Sequence, residues 1–170
     1  MNNKSTLIPI EVPWAVSSSG SNLSLSASDN TLSQVSFEAC FLRESYENTE
    51  SKVLESTLEN QLNSPYKQIN LFFEGVKSSS LIYAISDREV IDESAYDWNV
   101  VNLGIPSDSI LECIKQKKEY WVKTGICPDP NFYEVKQQTE SINYKHYLIV
   151  GERAAVEIVA QKWFWELKKE

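Results

Sequence analysis

Polar and apolar positions alternate strictly in two stretches near the N-terminus. Leu23, Leu25 and Ala27 alternate with serines across residues 22–28, and Val35, Phe37, Ala39 and Phe41 alternate with Gln34, Ser36, Glu38 and Cys40. A period of two marks a strand with one buried face. Between them Ser28, Asp29, Asn30 and Thr31 carry side chains that stabilise turns. The pattern predicts a hairpin of strands 22–28 and 32–42, with the Phe side chains inward and Cys40 on the opposite face. Residues 7–16 predict a further strand, held to a sheet edge by Pro9 and Pro13.

The period then changes. In residues 48–63 Leu54, Leu58 and Leu62 recur every four positions, Asn48 or Thr49 can cap the start, and Pro65 follows. This predicts an amphipathic helix. A second helix is predicted over 107–123, where Ile110, Ile114 and Trp121 share a face, Asp108 suits the positive end of the helix dipole and Gly125 suits its exit. Between these helices, Gln68–Phe73 and Leu81–Ile85 are apolar on both faces, which predicts central strands covered on both sides. Residues 96–102 predict another strand. Strand patterns return at 132–135, 144–150 and 154–165, the last two joined through Gly151, Glu152 and Arg153. There is neither an internal repeat nor a βαβ rhythm. The prediction is one α+β domain over residues 1–170: a largely antiparallel, strongly bent sheet with two amphipathic helices packed on it.

Composition narrows the function classes. The chain has 170 residues, 42% hydrophobic and 11% aromatic, which is enough to build a core. It carries 24 Asp and Glu against 16 Lys and Arg, a net charge of −8. Phosphate binding requires a basic stripe, so nucleic acid is not an expected partner, and an anionic membrane surface is disfavoured for the same reason. No apolar run approaches the ~20 residues of a membrane span, and the first residues lack the build of a secretory signal. Three cysteines without a CxxC pair fit a reducing compartment. A cytoplasmic protein is expected.

Motifs for chemistry are sparse. The five glycines form no GxSxG, no GxxxxGK[ST] and no GxGxxG. His146 is the single histidine, in a strand pattern shared with Tyr144 and Leu148, and reads as a hydrogen-bonded structural residue. The cysteines lack zinc-site spacing. No catalytic residue, metal or cofactor is predicted. The stretch TGICPDPNFYEV sets Cys127 after a helix C-terminus, where the dipole opposes a thiolate, so Cys127 is expected to be an inert thiol in a helix-to-strand joint.

One segment stands out by charge. Asp87, Glu89, Asp92, Glu93 and Asp97 face only Arg88, a net −4 over residues 87–97, beside the aromatics Tyr96 and Trp98. A solvated connector accounts for this composition. A recognition surface, aromatic anchors within a charged rim, is the second reading, and a general acid/base carboxylate pair or an oxygen-rich Ca²⁺ or Mg²⁺ site, for which motif spacing is absent, is the third. The expected function is a non-enzymatic acidic binding protein, an inhibitor or immunity-like protein for a basic protein partner, using Asp87, Glu89, Asp92, Glu93, Tyr96, Asp97 and Trp98. The alternative is a small-molecule-binding curved-sheet protein with hydrolytic activity around His146. A third reading is a homodimer through the C-terminal strand, where Trp163 and Trp165 share one face and Phe164 takes the other.

Overall fold

The computed structural model describes residues 4–17, 20–41, 66–83, 93–97, 110–136 and 143–168. These form eleven strands: β1 (Ser5–Pro9), β2 (Ala15–Val16), β3 (Ser24–Ala27), β4 (Leu32–Cys40), β5 (Tyr66–Glu74), β6 (Ser78–Tyr83), β7 (Tyr96–Asp97), β8 (Phe132–Lys136), β9 (Lys145–Val150), β10 (Ala154–Ala160) and β11 (Lys162–Leu167). One α-helix, α1 (Ile110–Thr124), lies among the described residues, and a 3-10 turn spans Glu93–Ala95. Six strands make one sheet in the order β6-β10-β9-β8-β1-β7. Five make the other, in the order β11-β5-β4-β2 with β3 also on β4. Every pairing is antiparallel except the short parallel contact of β1 with β7.

The expected α+β fold, one sheet with two helices packed on it, is therefore corrected. The described chain is mostly β, in two sheets, with one helix. The helix predicted over 48–63 lies outside the described residues. The physical reason is that each sheet covers the other. Val35, Phe37 and Ala39 of β4 and Ile69, Leu71 and Phe73 of β5 meet Tyr147, Ile149, Val156 and Ile158 of the six-stranded sheet in one core. Two inner faces packed this way need no helical layer between them.

Trp14 is the centre of that core, with no exposed surface. Its ring lies 5.3 Å from Phe37, 5.9 Å from Phe132 and 6.0 Å from Trp165, the last edge-on. Its buried indole N–H has no hydrogen-bond partner among the described residues. An unpaired donor of this kind costs about 1–3 kcal/mol, which the aromatic packing around it offsets.

The predicted N-terminal hairpin forms as β3 and β4, with Phe37 buried and Cys40 on the other face. Other strands differ from their expected places. The 154–165 stretch is two strands, since the chain leaves one sheet at Ala160 and enters the other at Lys162. The β5–β6 connection makes the same crossing beside it. Lys77 N–H donates to Val159 O (2.8 Å) and Gln161 N–H to Glu74 O (3.1 Å), tying the two corners together. Gly75 turns there with φ 62°, against the Gln161 side chain, where a Cβ would clash. β5 lies inside its sheet, as expected, but it is not covered on both sides, since Gln68 is exposed and Phe72 half-buried on its outer face, and among the described strands β6 is at an edge. β1 lies between β8 and β7 rather than at an edge, because Pro9 sits at its last position and removes little of the ladder.

Candidate functional site

The acidic segment meets the fold at β7. Asp87, Glu89, Asp92 and Trp98 lie outside the described residues. Glu93 opens the 3-10 turn that leads into β7. Asp97 is half-buried and pairs with Thr6 across the β1–β7 contact. Tyr96 is buried, 8% exposed, among Leu7, Tyr133, Val135, Leu148 and Ala155. These residues form a second apolar cluster on the face of the six-stranded sheet that points away from the main core. Tyr96 is thus the anchor that ties the acidic segment to this face.

Its hydroxyl has a polar destination. Tyr96 Oη donates to Glu157 Oε1 of β10 at 2.5 Å. β10 and β7 are separated by three strands. In a flat sheet that is roughly 19 Å, beyond the combined reach of a tyrosine and a glutamate. The six-stranded sheet therefore curls toward this face. Glu157 stands opposite Leu148 on β9 and opposite Ser80 on β6. His146 lies one pair along, opposite Val135 and Val159, and so diagonal to Glu157. Burial pushes the His146 pKa below its ordinary 6.5, and the Glu157 carboxylate opposes that shift. The result is a buried tyrosine bonded to a half-buried carboxylate, with a half-buried, neutral imidazole diagonal to it, over an apolar floor.

The sequence pattern indicated that His146, Tyr144 and Leu148 share a face. It did not single out Glu157. The available signal was a lone carboxylate within Ala154–Ala160, an otherwise apolar strand, since a charge in such a run requires a partner.

The chain's charge is distributed unevenly. Half of the net charge of −8 lies in residues 87–97, which carry net −4.

The Cys127 joint is structural. Gly125, at φ 72°, closes α1 by donating its N–H to Trp121 O (2.7 Å). Cys127 N–H donates to Val12 O (3.0 Å), and Lys117 Nζ reaches Asp129 Oδ2 at 2.7 Å across the turn. Burial pushes the Cys127 thiol up to about 12, so it stays protonated at neutral pH. Among the described residues no three His, Cys, Asp or Glu side chains gather as a metal site, and no helix is long and apolar enough to cross a membrane. No protein-family model, curated protein or solved structure matches this chain.

Proposed function

We propose that the protein is a non-enzymatic binding module, in which a two-sheet scaffold carries an acidic segment, residues 87–97, that recognises a basic protein partner. The charge of that segment carries this reading: residues 87–97 hold five acidic side chains against one basic, net −4 of the chain's −8. Concentrated charge on one part of a surface steers a complementary partner and rejects like-charged ones. The Tyr96–Glu157 bond supports it further, because it fixes one end of the acidic segment to a rigid sheet. An inhibitor or immunity-like role for a basic toxin or nuclease is the finer form of the proposal. A cytoplasmic setting fits the free thiols of Cys40 and Cys127. The test is affinity capture from native lysate at low and high salt. A basic protein retained only at low salt is the expected result. Capture of no basic protein, or salt-indifferent capture, contradicts it.

The His146–Glu157–Tyr96 line favours one other reading, a small-molecule site with hydrolytic activity, in which the neutral imidazole serves as general base. A panel of ester substrates separates the two. Turnover abolished by His146→Ala supports the site, and absence of turnover in the wild type removes it.

A further inference from the structure

β11 ends the five-stranded sheet, and its described partner is β5 alone. Lys162, Phe164, Glu166 and Leu167 are exposed, and Trp163 and Trp165 are half-buried. Lys168 N–H donates to Gln68 O (2.9 Å), in register with the Phe164–Phe72 pair. Backbone groups alternate sides along an antiparallel ladder. Those of Lys162, Phe164 and Glu166 therefore face β5, and those of Trp163, Trp165 and Leu167 face outward, unpaired by any described strand. The strand contains no proline to blunt this edge.

We propose that β11 pairs antiparallel with β11 of a second copy of this chain, about a two-fold axis at Phe164, joining two five-stranded sheets into one. Hydrogen bonds across the edge require residues with outward backbone groups to face each other, so the axis passes through a residue. Three positions are central enough. An axis at Trp163 sets Lys162 against Phe164. An axis at Trp165 sets Glu166 against Phe164 and Lys162 against Lys168. An axis at Phe164 sets Lys162 against Glu166 on both sides, and lets Trp163 and Trp165 exchange backbone hydrogen bonds. Only this register complements its charges, and a two-fold contact needs that self-complementarity. It also extends an existing aromatic row. Phe72 and Phe164 stack at 5.0 Å and 18° on the outer face, and Phe164 of the second copy continues the stack. Exposed ion pairs contribute little affinity, so they select the register, while the ladder bonds and the rings hold it. One strand edge buries far less than the ~1,200–2,000 Å² of a standard interface, so the association is reversible and concentration-dependent.

Sedimentation across a series reaching hundreds of micromolar tests this. The weight-average mass of the wild type should rise from 19.4 kDa toward twice that value. Lys162→Glu places like charges opposite each other twice and should weaken the dimer several-fold. The swap Lys162→Glu/Glu166→Lys restores both pairs and should recover it. Phe164→Asp sets two carboxylates at the axis and should abolish it. All three positions are exposed, and unchanged melting confirms that the variants fold. A wild type that keeps one mass throughout overturns the proposal, as does a dimer indifferent to Lys162→Glu or not recovered by the swap.

Discussion

The two sheets treat their outward faces in opposite ways. On the six-stranded sheet the face away from the main core is closed at its centre: Leu7, Leu148 and Ala155 have no exposed surface, while Ser80 and Ile82 at the β6 end are exposed. On the five-stranded sheet the corresponding face is wet, with Glu38, Glu74, Lys162 and Glu166 among its polar residues. There Gln34 Nε2 donates to Ser36 Oγ (3.0 Å), Ser36 Oγ donates to Asn70 Oδ1 (2.8 Å), and Phe72 stacks on an exposed Phe164. The difference is written in strand composition. β4 alternates polar and apolar residues, as a one-sided strand does, whereas β9 and β10 are nearly continuous in apolar residues. A strand buried on both faces must satisfy any polar group it carries, and Glu157 does so through Tyr96.

Substitutions on the two faces should differ in cost. The largest effect is expected at the closed face. Leu148→Ala should cost about 2–5 kcal/mol, measured by urea unfolding, because a fully buried leucine leaves a cavity. A loss below about 0.5 kcal/mol, the range of surface changes, would mean the face is not packed. Next is Tyr96→Phe, which leaves the Glu157 carboxylate without its donor. It should cost about 1–3 kcal/mol, and a neutral result in the same assay would remove Tyr96 as the anchor of the acidic segment.

A smaller effect is expected with pH. Burial holds the His146 pKa below 6.5 in the fold, so the unfolded chain takes up that proton first as pH falls. This contribution to stability is complete above pH 6.5 and is lost as pH falls through the window beneath it. Unfolding midpoints measured from pH 7 down to 5 should show a shallower decline in His146→Asn than in the wild type. Identical slopes would show that His146 is not desolvated. The smallest effect belongs to the wet face: Gln34→Ala should stay within about 0.5 kcal/mol by thermal melting.

How much of this was legible in the sequence follows from how local each signal is. The β3–β4 hairpin could be read because alternation and turn residues sit within a short stretch. The joint at Gly125–Pro130 could be read for the same reason. The second sheet could not. Nothing in Ala154–Leu167 announces that the chain changes sheets at Gln161, because the turn depends on the Gly75 corner packed beside it. Without that crossing, a long strand and two helices were the economical reading. In the site, Tyr96 was singled out as a surface aromatic beside acidic residues. Its partner Glu157 lies 61 positions away and was brought to it by the curl of the sheet, which no local pattern encodes.

The central claim is that recognition belongs to the acidic segment and not to net charge alone. Two variants of equal charge change separate these. One neutralises Asp87, Glu89, Asp92 and Glu93 to their amides. The other does the same to Glu11, Asp29, Glu38 and Glu74 of the scaffold. The measurement is the affinity of each for the basic protein captured at low salt. The segment variant should lose binding while the scaffold variant keeps it. Equal losses in both variants, or none in the segment variant, would contradict it.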